Sequence, residues 1–307
     1  MIKNILSIVI SGLIFLLCAY YVITYFQWGT VFQIMIRLDW KWMPFAVAGT
    51  ILFFWLFRTL RWFVLLKASG VHVNFFLLYV IVSMSVALAL ITPFQSGEVL
   101  KVELLKKTGA LERVPGYGIL VTERFLDLLV VLSIAALSLI FSFSQFMDKT
   151  VVLTFAALGL AGLVIFAAVI IRVSPANIFG RFFAPLRQCI NSGKTLITVL
   201  VLTVCGWLAV TLGWHFSLLS ISISLGFFET LAMTTITTLV SIFSLIPWAL
   251  GISEVSISYF LVFFKQDVPL AQAGALIIRG YALVAFALGF LLFVYWKIIL
   301  NRKEDGG

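Results

Sequence analysis

Charged residues, cysteines and histidines are all scarce in this chain. Asp, Glu, Lys and Arg make up 11% of the 307 residues, against about 25% in soluble globular domains, which excludes a water-soluble globule. The three cysteines, Cys18, Cys189 and Cys205, show no short spacing, so a disulfide framework is not indicated. The two histidines, His72 and His215, lie far apart in the sequence. We therefore expect neither a metal site nor a cofactor.

Apolar residues are abundant instead: they form 63% of the chain, and the mean hydropathy is +1.18. Runs of about 20 apolar residues are typical of membrane-spanning helices, whereas the strands of a membrane barrel alternate over about 10 residues. The sequence predicts an all-α, polytopic membrane protein that forms a single domain over residues 1–307, with about eight spans. Nine candidate segments cover 5–26, 43–66, 75–94, 116–144, 151–172, 195–216, 230–247, 253–264 and 273–297. The eighth of them is too short to cross a bilayer of roughly 30 Å by itself. The first is too long for a signal peptide and is expected to stay uncleaved.

Positive charge concentrates between the apolar runs, and the chain has a net charge of +9. The positive-inside rule assigns such clusters to the cytoplasmic side. We therefore expect a multi-pass protein of the cell membrane with both termini in the cytoplasm. Segment 75–94 would join two cytoplasmic clusters, so it either folds back as a hairpin or crosses and is followed by a returning helix over about 97–113. No soluble domain concentrates the charge, so nucleic acid is not an expected partner.

Two interruptions of the apolar pattern resemble each other, one in ITPFQSGEVLKVELLKK (91–107) and one in LIPWALGISEVSISYFL. Each places a proline, a glycine and a glutamate in the same order: Pro93, Gly97 and Glu98, then Pro247, Gly251 and Glu254. An arginine within an apolar run follows each glutamate at nearly the same distance, Arg124 in the first case and Arg279 in the second.

Broken helices at corresponding positions of two halves are typical of a transporter's binding site. Irregular backbone at membrane depth is tolerated only where protein buries it or where it lines a wet cavity. The sequence therefore predicts two re-entrant elements in a pseudo-repeat, with halves at about 43–172 and 195–297 joined by the basic connection 173–194. Whether the halves are inverted or parallel stays open.

At these residues the chain resembles the lysylphosphatidylglycerol synthase transmembrane region, also called the flippase-like domain family. That family carries a P-x-x-x-G-E turn, an arginine–aspartate span, a PGGLG-x-x-E turn and a final arginine-bearing helix. The corresponding residues here are Pro93, Gly97, Glu98, Arg124, Asp127, Pro247, Gly251, Glu254 and Arg279. RTLRW at 58–62 resembles the family's early Arg-Trp element. The chain departs from the pattern at Trp248 and Ala249, where the family has glycines, and at Ser253, where a basic residue is common.

The resemblance implies lipid handling: the flipping of aminoacylated phospholipids, or a role with polyprenyl-phosphate-linked sugars. The larger synthases of this kind carry a soluble catalytic domain after the membrane region, and this sequence stops at NRKEDGG. Synthesis of lysyl-lipid is therefore not expected. No convincing Ser/His/Asp or Cys/His set and no Walker-type loop is present in the sequence, so we do not expect an enzyme.

An ionisable residue inside a membrane costs about 2.5–3.5 kcal/mol on insertion scales, so it persists where it is paired or faces water. Arg124 is within reach of Asp127 or Glu98, and Arg279 of Glu254. We expect Arg124 and Arg279 to hold a lipid phosphate, because a guanidinium can donate two parallel hydrogen bonds to phosphate oxygens. Gly97 and Gly251 are expected to let backbone N–H groups approach that anion, at helix N-termini beginning near Gly97 and Ile252.

Each of these residues also has an interpretation as a structural residue that binds no ligand. The acid–arginine pairs are also compatible with buried salt bridges that fix helix register without a ligand. Glu98 suits a helix N-terminus that Ser96 caps. Arg58 and Arg61 are most simply anchors at the cytoplasmic membrane interface, and both are otherwise a first contact for anionic lipid headgroups. Lys101 belongs either to a cytoplasmic patch or to a funnel for lipid phosphates.

The sequence thus favours a transporter or flippase for an anionic phospholipid or a polyprenyl-phosphate-linked lipid, with the phosphate held in a cavity at the membrane midplane. The alternative is a non-transporting membrane partner of a lipid-modifying enzyme or glycosyltransferase. Small residues at Ala285 and Gly289 permit close helix contact, either within one chain or between two. A homodimer and an enzyme partner therefore both stay open.

Overall fold

The computed structural model describes residues 16–49, 55–142, 178–243 and 246–304, together with isolated positions at 52 and between 150 and 168. Throughout these residues the regular structure is helical, without strands, which confirms the all-α prediction. Part of the predicted span 5–26 and most of the predicted span 151–172 lie outside the described residues.

Before residue 143, the described residues form seven helices: α1 (Leu16–Tyr25), α2 (Trp28–Ile36), α3 (Met43–Val47), α4 (Trp55–Ala68), α5 (Phe75–Ile91), α6 (Val99–Lys107) and α7 (Arg113–Ser142). A short 3₁₀ helix, Pro93–Glu98, joins α5 to α6. The later part contains α8 (Ile178–Phe182), α9 (Ala184–Asn191), α10 (Gly193–Leu219), α11 (Phe227–Phe243), α12 (Ile252–Phe263) and α13 (Val268–Glu304). A second 3₁₀ turn, Pro247–Ala249, lies between α11 and α12.

Three of the described helices are long and apolar enough to cross a membrane: those over Arg113–Phe141, Gly193–Leu219 and Val268–Lys297. Four shorter apolar helices accompany them, α1, α5, α11 and α12. Many large apolar side chains on these helices are exposed, among them Phe141, Ile197 and Leu291. Such a surface needs a lipid solvent rather than water, so the molecule is a helical membrane protein.

The first break is a tight reversal of the chain, defined here as Pro93–Glu98. Asn74 caps the start of α5 through hydrogen bonds from the backbone N–H groups of Phe76 (2.9 Å) and Leu77 (3.2 Å). After α5 ends, α6 packs back against it. Segment 75–91 is one continuous helix, so it does not fold back on itself. The return is made by α6, which is shorter than the predicted helix over 97–113.

Gly97 allows this reversal because it packs directly on the backbone of α5. A Cβ atom at Gly97 would lie 2.5 Å from the carbonyl carbon of Leu88, a distance at which the backbone must move. We expect Gly97→Ala to lower the stability of the protein by about 1–3 kcal/mol, the range of an overpacked core. Thermal unfolding in detergent measures the change. The matched control is Gly29→Ala, where a Cβ meets nothing within 4 Å; equal melting temperatures for the two variants would contradict the account.

The second break, defined here as Pro247–Gly251, contains consecutive residues in left-handed backbone conformation. The φ angles are 59° at Trp248 and 48° at Ala249, and Gly251 follows with a φ of 82°. A left-handed residue other than glycine costs roughly 1–2 kcal/mol. Trp248 and Ala249 therefore hold strained backbone in this turn. The side chains that hold the turn in place are described below.

The two breaks contact each other, and helices from both halves enclose them. Gly251 also packs against α1, because a Cβ there would lie 2.5 Å from the Cβ of Cys18. On α13, a Cβ at Gly289 would lie 2.1 Å from that of Ala87 on α5. The close contact predicted for Ala285 and Gly289 is therefore made within one chain.

The described part of the connection 173–194 is packed rather than free. Leu186 and Cys189, on α9, are fully buried and belong to one apolar core with Trp62 of α4 and Leu105 of α6. A separate core gathers apolar residues of α2, α12 and the start of α13, including Val31, Ile257 and Ala271. The breaks lie where helices from the two cores meet.

Candidate anion site between the two proline breaks

Seven ionisable side chains from α4, α6, α7 and the first break form one cluster, here called the charge cluster. Its four cations and three acids are Arg58, Arg61, Lys101, Arg124, Glu98, Glu123 and Asp127. With every member ionised, the cluster has one more positive than negative charge. Buried charges persist only when paired and hydrogen-bonded, and the contacts below show how this pairing is achieved.

The inner part of the cluster is completely enclosed. The side chain of Arg61 is 2% exposed, and it holds Asp127 through Nη1–Oδ1 (2.5 Å) and Nη2–Oδ2 (3.1 Å). The same guanidinium donates to Glu123 and, at 3.0 Å, to the hydroxyl of Thr203. Arg61 therefore links α4 to α7 through ion pairs and to α10 through a hydrogen bond.

Lys101 completes the inner part from α6. Its Nζ donates to Glu98 at 2.6 Å and to Glu123, and it lies 4.5 Å from the centre of the Trp62 ring. The indole N–H of Trp62 donates to Glu123 as well. These contacts tie the first break to α4 and α7.

Two predictions fail at these residues. Arg58 and Arg61 are not interfacial anchors, because they are 9% and 2% exposed and paired with acids of other elements. Lys101 is not part of a surface patch, because it is 1% exposed. These residues were predicted to be surface groups because the acids that pair with them inside the protein are distant in sequence.

Arg124 is the most accessible cation of the cluster, with 32% of its side chain exposed. Its Nη2 lies 2.8 Å from both oxygens of Glu98, and its Nη1 donates to the side-chain oxygen of Gln95 at 2.8 Å. Asp127 lies 3.2 Å away. Both pairings predicted for Arg124 are thus present, and the acids orient its guanidinium without enclosing it.

The second break carries its own acid–arginine pair. Arg279 donates through Nε to Glu254, through Nη1 to the carbonyl of Trp248 (2.9 Å), and through Nη2 to the carbonyl of Ala249 (3.2 Å) and the hydroxyl of Ser253 (2.6 Å). The predicted Glu254–Arg279 pair is confirmed. The same guanidinium holds the two left-handed residues, which is how the strained turn is stabilised.

A cavity of about 470 Å³ lies between the two breaks. Arg58, Gln95, Glu98, Arg124 and Asp127 line it from the first half, and Trp248, Ser253 and Arg279 from the second. Most of the rest of its wall is apolar or aromatic, with Val86, Leu90, Val131, Ile246, Ile278 and the tryptophans Trp55, Trp207 and Trp214 among the lining residues. Hydroxyl-bearing residues also line it: Thr92, Thr237, Thr238, Ser241 and Tyr281. The cavity thus joins charged groups to a wide apolar surface.

The predicted site residues divide into three groups. Glu98, Arg124, Asp127 and Arg279 line the cavity, whereas Glu254 contacts Arg279 from behind the wall. Arg61 belongs to the buried inner part and borders only a separate small void.

The backbone N–H groups of the two glycines are hydrogen-bonded within the protein. The N–H of Gly97 donates to the hydroxyl of Thr92 at 2.7 Å, and that of Gly251 to Glu254 at 2.7 Å. Both donors are therefore already used, and the approach of other backbone N–H groups to an anion at these turns stays a prediction. Ser96 does not cap α6, which begins at Val99 without a side-chain cap; α12 begins at Ile252 as predicted.

Sequence reasoning missed the roles of Arg58, Gln95, Lys101 and Glu123 in this site. For Glu123 a signal was present, because it lies four residues before Asp127 and shares a helix face with it. The sequence contains no comparable signal for Gln95. Its side chain reaches Arg124 because the first break bends, with a left-handed φ of 55° at Gln95 itself.

Fold and site together define a helical membrane protein with a charged cavity between two broken helices. The family model described as the lysylphosphatidylglycerol synthase TM region matches residues 4–294, which is nearly the whole chain. The chain belongs to this family, whose membrane domain is associated with lipid-related functions. A search of curated proteins and a search of solved structures each find no match.

Proposed function

We propose that this protein binds an anionic phospholipid or a polyprenyl-phosphate-linked lipid in the cavity and moves it across the membrane. The observation that carries the proposal is the position of Arg124, which is paired and oriented by Glu98 yet partly open to a mostly apolar cavity. A lipid phosphate needs a cation of this kind, and its acyl or prenyl chain needs the apolar wall.

The charge balance supports an anionic ligand. The charge cluster has one positive charge in excess, and the Arg279–Glu254 pair is balanced, so a phosphodiester with one negative charge would neutralise the cavity. A guanidinium binds phosphate through two parallel hydrogen bonds. Under this proposal Arg124 contacts the phosphate, while Arg58 and Arg279 add positive potential from the wall.

The size of the cavity suits a headgroup rather than a whole lipid. Ligand cavities are typically about 300–1,000 Å³, and 470 Å³ accommodates a phosphate with its headgroup and the first carbons of the tails. The remaining carbons would lie along the exposed apolar helices. Under this proposal the two breaks are re-entrant elements near the midplane, among about eight spans.

We place the protein in the cell membrane with both termini in the cytoplasm, following the distribution of basic residues. It would act on the lipid without a chemical step, and transport would run downhill or be driven by a gradient. The lipid and the bilayer are its partners under this proposal, and a second copy or an enzyme is compatible with it.

Lipid transport by purified protein in proteoliposomes of phosphatidylglycerol tests the proposal. We expect Arg124→Gln to slow transport by about tenfold or more, because a hydrogen bond to a charged group contributes about 1.5–3 kcal/mol. The matched control is Arg113→Gln, on the same helix, whose partner Glu103 is outside the cavity and whose side chain is 58% exposed.

The control is expected to transport at the wild-type rate. Equal rates for Arg124→Gln and wild type would refute the assignment of Arg124. A wild-type protein that folds but moves no lipid would favour the non-transporting partner of a lipid-modifying enzyme instead, and such an enzyme would then co-purify with it.

A further inference from the structure

The carboxylate of Glu98 has cation partners besides Arg124. It accepts from Arg58 at 2.5 Å and from Lys101 at 2.6 Å, and these two cations are 9% and 1% exposed. A carboxylate has about four acceptor sites, so the bonds from Arg124 add to a pairing that is already present. Glu98 therefore stays paired when Arg124 turns toward another anion.

The other two acids of the charge cluster, Glu123 and Asp127, are held by Arg61. Its guanidinium donates to Glu123 and to both oxygens of Asp127, at 2.5 and 3.1 Å, and Lys101 also donates to Glu123. Without Arg124 the cluster contains three cations and three acids, and each acid keeps a cation at hydrogen-bonding distance. Arg124 is also the most exposed of the four cations, at 32%. A ligand can therefore take Arg124 without leaving a buried acid unpaired.

The cavity offers few groups that are able to carry a proton. Among the described residues that line it, the titratable side chains other than arginine are those of Glu98, Asp127 and Tyr281. Both carboxylates are paired with cations, and buried charges persist when they are paired. A phenol keeps its proton at neutral pH. None of the three is therefore expected to take up or release a proton when a ligand enters.

We infer that a lipid phosphate binds Arg124 in exchange for Glu98 and Gln95, and that it crosses the membrane without an accompanying proton. Each lipid then carries one negative charge across, and the membrane potential drives transport. The inference rests on the proposed function and names its energy source. The charge cluster has one positive charge in excess, which one phosphodiester neutralises. A proton added at the same time would restore an uncompensated charge in a low-dielectric interior.

The direction of transport follows from the sign of the charge. At a potential of about 100 mV, the equilibrium ratio of a singly charged anion between the two leaflets changes about 50-fold. The lipid is enriched on the positive side of the membrane. In a cell whose cytoplasm is negative, that side is the outer leaflet.

Redistribution of a fluorescent phosphatidylglycerol in proteoliposomes tests the inference. The vesicles contain the purified full-length protein in phosphatidylcholine with a trace of chain-labelled phosphatidylglycerol, and valinomycin with a potassium gradient sets the potential. Dithionite bleaches the outer leaflet alone and so measures the distribution of the probe. We expect the probe to accumulate in the leaflet on the positive side, by up to about 50-fold at about 100 mV. A difference of about one pH unit at zero potential should leave the distribution unchanged, whereas a lipid carried with one proton would redistribute about tenfold.

Protein-free vesicles should show no redistribution on this timescale. Arg113→Gln should reach the wild-type distribution, because the Arg113 side chain is 58% exposed and does not line the cavity. A distribution that follows the pH difference, or that stays even under a potential, would overturn the inference and leave the proposed function standing. Failure of the probe to cross in the presence of folded wild-type protein would overturn both.

A second readout needs no lipid and tests the pairing itself. Because each acid keeps another cation, Arg124→Gln should melt close to the wild-type temperature, whereas Arg61→Met should melt much lower. An Arg124→Gln protein as unstable as Arg61→Met would show that the acids need Arg124 for their charge balance. That result would overturn the exchange of Arg124 between Glu98 and a phosphate.

Discussion

Replacing Arg61 with methionine is expected to destabilise the protein by about 3–5 kcal/mol, the range for breaking a buried ion pair by removing one partner. Arg61 is 2% exposed and is the shared partner of Glu123 and Asp127. Without it both carboxylates remain in a low-dielectric interior with fewer cations around them. A loss of this size is a large fraction of the stability of a typical domain, so the variant should unfold at a much lower denaturant concentration than the wild type.

Chemical unfolding in mixed detergent micelles measures this effect. Arg113→Met is the control, because the Arg113–Glu103 pair is exposed and such pairs contribute about 0–1 kcal/mol. Combining Arg61→Met with Glu123→Gln and Asp127→Asn also removes the two carboxylate charges that Arg61 neutralised, and it should recover part of the stability. An Arg61→Met protein as stable as the control would show that the inner part of the cluster does not hold α4, α7 and α10 together.

Replacing Arg279 with glutamine is expected to release the second break. The change removes the ion pair with Glu254 and the hydrogen bonds to the carbonyls of Trp248 and Ala249. Those two residues then keep their unfavourable left-handed conformation without support. Because 16% of the Arg279 side chain is exposed, we expect a loss of roughly 2–4 kcal/mol, below that of a fully buried pair.

Amide hydrogen exchange over residues 246–254 reports the release directly, since local opening raises exchange there before the rest of the molecule unfolds. Lys297→Gln, an exposed position on the same helix α13, should leave exchange at the break unchanged. Adding Ala249→Gly to Arg279→Gln should recover some protection of these amides against hydrogen exchange, because glycine adopts the left-handed conformation without steric cost. Wild-type exchange in Arg279→Gln would mean that the turn is held by something else.

These two arginines and Arg124 have different roles although each is paired with an acid. Arg61 is enclosed, so replacing it should lower the free energy of unfolding. Arg279 is bound to the backbone of a strained turn, so replacing it should raise amide hydrogen exchange at that turn. Arg124 is held by Glu98 and Gln95 but open to the cavity, so its loss should appear in transport of a lipid.

The breaks and their acid–arginine pairs could be predicted from the sequence because the signals are local and repeated. Proline ends a helix wherever it occurs in the middle of an apolar run, and the order Pro, Gly, Glu and then Arg recurs in both halves. The pairing of Glu98 with Arg124 and of Glu254 with Arg279 follows from that repetition. Both pairs are present in the structure.

The inner charge cluster could not be predicted in the same way, because its partners come from distant parts of the chain. Arg58 and Arg61 sit in a basic stretch whose charge density indicates the cytoplasmic side, and nothing local reveals that Glu98, Glu123 and Asp127 reach them. The close packing of the two glycines could not be predicted for a related reason. Gly97 is required by the backbone of Leu88, and Gly251 by Cys18, and both are neighbours only in space.

An experimental structure of the protein in lipid nanodiscs made of phosphatidylglycerol tests the central claim most directly. The account predicts lipid density in the cavity between the two breaks, with phosphate oxygens about 2.7–2.9 Å from the guanidinium nitrogens of Arg124. A cavity that is closed by side chains, or that contains only water while lipids occupy the outer surface alone, would contradict it.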